Sequence, residues 1–336
     1  MLYQTENQHG GDVYGGRITL DFSANTNPLG TPPGVLEAVR RGLPQLHRYP
    51  DPYCRQLVQA IAAHEQVPTS YVLCGNGAAD LIYAYCAALR PRTAVEPAPT
   101  FVEYGLGLAQ VGCRVAPYFL HQAENFDLGK GFLPFLEEKK PEVVFLCTPN
   151  NPTGRLLPLP LLEQILQVCA AWGARVFLDE CFLDLTEDGV SARSLLTAHP
   201  ELLILKAFTK SYGMAGIRLG YCLCADSALL HRMASVSQPW NVSSLAQSAG
   251  VAALAELKQK VYQQLEPDDP NSAVPTYQHI QFLAIDSDTT DIDRMRGKAK
   301  LDRDQEFFSI NNPNLTAVLK AKDQVKGNAA MNWMNI

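Results

Sequence analysis

Between about residues 70 and 225 the chain alternates between two patterns. Short apolar runs rich in β-branched residues give way to longer stretches with apolar residues at i, i+3 and i+4. "YVLCGNG" reads as a strand and a Gly-rich turn, and "AADLIYAYCAALR" as the helix that follows. "RTAVEPAP" is a strand before the helix "TFVEYGLGLAQVG". "CRVAPYFL" is a strand, and "EVVFLCTPNNPTG" a buried strand ending in a polar turn. "PLPLLEQILQVCAAWG" is a helix with prolines before it and a glycine after it. "ARVFLDECF", "ELLILKAF" and "RLGYCLCA" are three further strands. Few folds accept this alternation. Unbroken apolar strands need cover on both faces, and strands alternating with helices build crossover units. The expectation is an α/β fold with a mainly parallel seven-stranded sheet between helices. Ligands in such folds bind at the carboxyl ends of strands. Asn76, Asn151, Asp179 and Lys210 all fall there.

After about Glu256 the pattern stops, and stretches such as "DSDTTDIDRMRGKAKLDRDQEFF" are polar and charged. The chain therefore divides into an N-terminal arm (1–27), a large domain (28–255) and an atypical C-terminal segment (256–336). The net charge of -6 argues against nucleic acid and anionic membrane as partners. No apolar run approaches the roughly 18 residues that span a bilayer. The opening "MLYQTENQHGGDVYGG" lacks the charged and apolar regions of a leader, so a cytoplasmic location is expected. Most of the nine cysteines lie in apolar runs, as reduced, buried thiols do. Cys222 and Cys224 fit a strand with two same-face thiols as well as a metal pair. No second ligand cluster supports a metal, and none is expected.

Five polar features mark strand ends or their neighbourhood, and each alone has a plain alternative. "CGNG" puts glycines at a helix start, which suits a phosphate but equally a tight turn. "TPNNPTG" is explained by turn chemistry except for Asn151, whose amide can donate to a ligand oxygen. Asp179 is a carboxylate after a buried strand, where it needs a partner: a cap, an ion pair or a protonated ring nitrogen. Lys210 follows an apolar run, where an amine loses proton affinity and can combine with an aldehyde. Arg218, eight residues on, offers a fork for a phosphate. As a set, these residues supply what pyridoxal phosphate requires.

The chain also resembles the fold-type I pyridoxal-phosphate family of aminotransferases and decarboxylases over residues 8 to 255. The matching stretches are "HGG" (from His9), "LDFSANTNPLG" (from Leu20), "RYPDP" (from Arg48), "GNG" (from Gly75), "FVEYG" (from Phe101), "FLCTPNNPTG" (from Phe145), "LDECFLD" (from Leu178), "TKSYGMAGIRLGY" (from Thr209) and "QPWNVSSLAQ" (from Gln238). "NNPTG" and the lysine motif are shared with histidinol-phosphate aminotransferases. The "HGG" arm, "FSANTNPLG" and "PWNV" resemble the threonine-phosphate decarboxylases of cobalamin biosynthesis. The resemblance implies that Lys210 carries the cofactor aldehyde and that Asp179 pairs with the ring nitrogen. It implies that Asn151 contacts the ring hydroxyl and the substrate carboxylate region, and that Phe101 stacks on the ring. Gly75, Asn76 and Gly77 with Arg218 would hold the phosphate, and Tyr49 would reach it from a second subunit of a homodimer. His9, Gly10 and Asn25 would contact a phosphorylated amino-acid substrate.

The chain departs from the family in several places. Ala207 stands where the family has a serine or threonine for the phosphate, leaving Thr209 as the nearby hydroxyl. Phe182 stands where many relatives have a tyrosine. The two arginine segments of the family's small domain have no match after residue 256, and Arg294, Arg296 and Arg303 lack their context. Besides decarboxylation, an aminotransferase and a cofactor-binding protein without turnover are therefore both compatible with the sequence.

Overall fold

The computed structural model describes Tyr14, residues 24–27 and residues 29–255. The chain forms two compact units, Thr26–Leu257 and a second of Met1–Asn25 with Lys258–Ile336. Every element below belongs to the first. His9, Gly10, the C-terminal segment and its arginines lie outside the described residues.

The first unit opens with helices α1 (Pro33–Gly42) and α2 (Arg55–Glu65). Strand β1 (Val72–Gly75), helix α3 (Ala78–Leu89), strand β2 (Thr93–Ala98), helix α4 (Glu103–Gln110) and strand β3 (Arg114–Phe119) follow. Then come helix α5 (Phe132–Lys139), strand β4 (Val143–Cys147), helix α6 (Leu159–Ala170) and strand β5 (Arg175–Asp179). Strand β6 (Leu202–Ala207) runs into the single-turn helix α7 (Phe208–Ser211). Strand β7 (Gly220–Cys224) and helices α8 (Ser227–Val236) and α9 (Ser244–Ala255) complete the unit.

The seven strands form one sheet in the order β1-β7-β6-β5-β4-β2-β3. Pairing is parallel from β6 through to β3, while β7 runs antiparallel to both β1 and β6. This is the expected mainly parallel seven-stranded sheet. Alternation along the central strands divides the core in two. Val144, Leu146, Val176, Leu178, Leu202 and Ile204 face a cluster that includes Leu57 of α2, Leu136 of α5 and Ile165 of α6. Val143, Phe145, Phe177, Leu203 and Leu205 face a cluster with Leu81 of α3, Tyr104 of α4 and Leu229 of α8. With both faces covered, β4 and β6 have no exposed position and read as continuous apolar runs. Lys206 is the exception, a fully buried lysine within β6. Eight of the nine cysteines are buried and all are free thiols, as the sequence suggested. No described helix is long and apolar enough to cross a membrane, and no described cluster of His, Cys, Asp and Glu could hold a metal ion.

Candidate active site

Three adjacent parallel strands end at one place and deliver the polar residues there. β5 ends on Asp179, only 4% exposed. Both of its oxygens are held: Oδ2 accepts the Tyr104 hydroxyl at 2.7 Å, and Oδ1 accepts the Cys181 backbone N–H at 2.8 Å. Burial pushes its carboxyl above the usual range, and the Cys181 and Tyr104 donors and the Lys210 charge act against that push. A carboxylate so placed can accept from a protonated ring nitrogen.

Tyr104 was not among the residues singled out from the sequence. It is fully buried, stacked on Phe145 at 5.3 Å and edge-on to Phe101 at 5.6 Å. One side chain thus touches both Asp179 and the aromatic residue expected to cover the ring. Only its nearness to Phe101 was legible, since the two stand three apart at the entry to α4; its contact with Asp179 was not.

The turn after β4 contains two asparagines with different fates. Asn150 is buried and consumed by the turn: its Oδ1 accepts from Thr100 at 2.8 Å, and its Nδ2 donates to Pro99 and Thr153. The neighbouring Asn151 side chain makes no bond to a described residue and keeps its amide available. Thr148 N–H donates to the Asp179 carbonyl at 2.8 Å, which ties this turn to the end of β5.

β6 leads through α7 to Lys210. Burial drives its amine below the ordinary lysine range; Cys181 and Asp179 oppose the shift and Arg218 adds to it. The amine lies 5.2 Å from the centre of the Phe182 ring. Thr209 is buried beside it. Arg218 has a left-handed backbone, φ 60°, and its guanidinium lies against Gly77, where any Cβ would collide with it. Gly77 itself has φ +84° and opens α3 with no side-chain cap. β7 comes equally close, since a Cβ on Gly220 would fall 2.8 Å from the Ala78 nitrogen. The helix start and the guanidinium together form a cationic cradle without side-chain bulk. Below it, Asp80 accepts from the Asn76 backbone at 2.9 Å and from Asn241 at 2.8 Å. The "PWNV" motif therefore braces the "GNG" turn.

Tyr49 does not join this group within the chain. It is 79% exposed and packs at 4.7 Å on Trp240. Asn25 belongs to the other unit.

The donor set fits pyridoxal phosphate. There is an amine of lowered proton affinity for an aldehyde, a buried acceptor for a ring nitrogen, and a bare, cationic helix start for a phosphate. Comparison with known proteins agrees. The family of aminotransferase class I and II matches residues 17–266. The threonine-phosphate decarboxylase of Salmonella typhimurium is 40% identical over 237 residues, 70% of this chain and 65% of that protein. A histidinol-phosphate aminotransferase of Desulfitobacterium hafniense is 34% identical over 244 residues, 70% of this chain and 65% of that protein. Among solved structures, the histidinol-phosphate aminotransferase of Sinorhizobium meliloti in complex with pyridoxal-5'-phosphate superposes with a TM-score of 0.64 at 24% identity. That alignment covers 72% of this chain and 65% of that one. The chain belongs to the aminotransferase class I and II family, whose cofactor is pyridoxal phosphate. It spans about two thirds of the length of the curated relatives it matches.

Proposed function

We propose that the protein is a cytoplasmic, homodimeric decarboxylase that converts L-threonine O-3-phosphate to (R)-1-amino-2-propanol O-phosphate in cobalamin biosynthesis. The observation that carries this reading is the 40% identity to the Salmonella threonine-phosphate decarboxylase across the region that holds Asp179, Lys210 and Arg218. Pyridoxal phosphate, when bound, supplies the electron sink that lets a bond to Cα break. The chain's own residues do the rest. Lys210 would hold the cofactor aldehyde, and burial lowers the proton affinity of its Nζ. Asp179 would hold the proton of the ring nitrogen, with Tyr104 and the Cys181 amide fixing its two oxygens. Arg218 and the start of α3, with Gly75, Asn76 and Gly77, would take the cofactor phosphate, and Thr209 would stand in for the hydroxyl Ala207 lacks. Phe101 would cover the ring, and Asn151 would donate to its hydroxyl and to the substrate carboxylate region. His9, Gly10 and Asn25 would meet the substrate phosphate, and Tyr49 of a second subunit would complete the cofactor pocket. Which bond breaks depends on which is held perpendicular to the ring, a matter of fixed orientation.

A second reading, histidinol-phosphate aminotransferase, is favoured by the 34% identity to that enzyme from Desulfitobacterium. The deciding experiment follows CO₂ from threonine phosphate beside amino transfer from histidinol phosphate to 2-oxoglutarate. CO₂ release supports the first reading, and amino transfer alone replaces it with the second. The unmatched arginine segments after residue 256 make slow turnover the expectation. Each charge-assisted contact contributes about 1.5–3 kcal/mol, so losing two costs on the order of a hundredfold or more. Cofactor binding without either product would select a binding protein without turnover.

A further inference from the structure

The turn from Asn27 to Thr31 closes on the lysine loop. The Asn27 backbone N–H donates to the Lys210 carbonyl at 2.9 Å, and its Nδ2 donates to the Ser211 carbonyl at 2.9 Å. Thr31 Oγ1 donates to the Gly213 carbonyl at 2.7 Å. Gly213 has φ +59°, and a Cβ there would lie 2.7 Å from the backbone of Gly30, so the two segments meet main chain to main chain. Asn27 is buried, and its Oδ1 accepts the Leu29 N–H at 3.0 Å. One side chain therefore shapes its own turn with its oxygen and grips the lysine loop with its nitrogen. Helix α7 is a single turn. The Lys210 carbonyl at its end also accepts the Gly213 N–H at 3.2 Å, while the Ser211 carbonyl accepts from the Asn27 side chain.

We propose that Asn27 is a positioning residue for Lys210: its side-chain Nδ2, donating to the Ser211 carbonyl, pins the main chain one residue past the lysine, so that the amine meets the cofactor aldehyde from a fixed backbone. The proposal rests on reading Lys210 as the lysine that carries the cofactor. A lysine that must release and recapture an aldehyde moves a four-carbon side chain. Holding the backbone still limits the freedom lost on each return to that side chain. The plain alternative is that Asn27 only shapes its own turn.

Two variants separate these roles. Asn27→Ser keeps an acceptor for the Leu29 N–H but is too short to reach the Ser211 carbonyl, whereas Asn27→Ala loses both. Pyridoxal phosphate is added to the cofactor-free full-length protein, and the rise of visible absorption is timed. Borohydride reduction and peptide mapping then locate the pyridoxyl group. Both variants should combine about fivefold more slowly than the parent, the size of one buried hydrogen bond. Asn27→Ser should melt near the parent. An Asn27→Ser protein that combines at the parent's rate, with only Asn27→Ala slow, would overturn the proposal and leave a turn-shaping role. Asn27→Asp, with the same turn acceptor, replaces the serine variant if that melts below the assay temperature, and the same outcomes apply. A pyridoxyl group on another lysine in the parent would instead defeat the reading of the site, and the proposal with it.

Discussion

At the residue scale, Lys206 and Lys210 show how four positions change the chemistry of an amine. Lys206 is buried and Lys210 half-buried, and burial lowers the proton affinity of each. Lys206 points to the α2 face, 2.9 Å from Glu65 and 3.8 Å from Asp184, and those carboxylates outweigh burial and hold it charged. Among the described residues Lys210 has no such ion pair, and burial wins. Borohydride reduction of the cofactor-loaded protein should therefore place the pyridoxyl group on Lys210 alone, and Lys210→Ala should abolish the visible band. Lys206→Met should keep the label on Lys210 yet cost about 3 kcal/mol, because buried Glu65 loses its close cation and keeps only the Tyr221 hydroxyl and Arg193 at 3.5 Å. Label on Lys206 would refute this assignment.

Glu180, the neighbour of Asp179, has the opposite problem. Burial raises its carboxyl from 4.5 to about 7, although Lys206, Ser191 and the Ala192 amide oppose the shift. Across that window the folded chain keeps a proton that the unfolded chain has released. Stability therefore falls as pH rises from the unfolded value towards about 7, by about 3 kcal/mol at roughly 1.4 kcal/mol per unit. Glu180→Gln removes the titrating group; its one oxygen can still accept the Ala192 N–H, and its Nε2 can donate to the Ser191 hydroxyl. Its melting temperature should exceed the parent's near pH 8 and approach it near pH 5. Parallel pH profiles for the two proteins would show that Glu180 ionises normally.

At the element scale, Asp226 joins a strand to a helix. Its Oδ1 caps α8 by accepting the Leu229 N–H at 3.0 Å, and its Oδ2 accepts from Arg175, the first residue of β5, at 2.5 Å. The other terminal guanidinium nitrogen of Arg175, Nη1, is buried and has no hydrogen-bond partner among the described residues. Asp226→Ala should cost about 2 kcal/mol, from the lost cap and a half-screened ion pair. Asp226→Asn should recover about half of that by restoring the cap alone. Denaturant midpoints measure both, and an unshifted midpoint for Asp226→Ala would mean the cap contributes nothing here. The elements themselves were legible because strands buried on both faces leave unbroken apolar runs. The antiparallel direction of β7 was not, since "RLGYCLCA" has the same apolar character in either direction. The strand-end positions of Asp179 and Lys210 followed from where the runs stop. The side chains that fix them did not. Tyr104 is 75 residues from Asp179 and Asn27 is 184 from Ser211, and nothing local in either segment announces such a contact. A buried lysine in a strand is equally silent, because its partner Glu65 is 141 residues away.

At the scale of the whole molecule, the stretch after α1 asks for a partner. Leu43, Leu46, Tyr49 and Tyr53 are all largely exposed, and Trp240 lies against Tyr49 with its own ring half-exposed. Large apolar and aromatic side chains gathered on one exposed stretch mark an interaction surface. The occupant we expect is a second copy of this chain, with Tyr49 directed at the other copy's cofactor phosphate. That arrangement has a genetic signature. Let one subunit carry Lys210→Ala and the other Tyr49→Phe. If Tyr49 acts across the interface, each hybrid dimer holds one site with an intact lysine and an intact tyrosine, and one site lacking both. If it acts within its own chain, every site in the hybrid is defective. Mixing the two variants under conditions that exchange subunits should therefore restore tight cofactor retention to one site per hybrid, measured as pyridoxal phosphate kept through gel filtration. Each variant alone should restore none. A protein that sediments as a monomer while retaining the cofactor would rule out the shared site, and Tyr49 would then be only an exposed neighbour of Trp240.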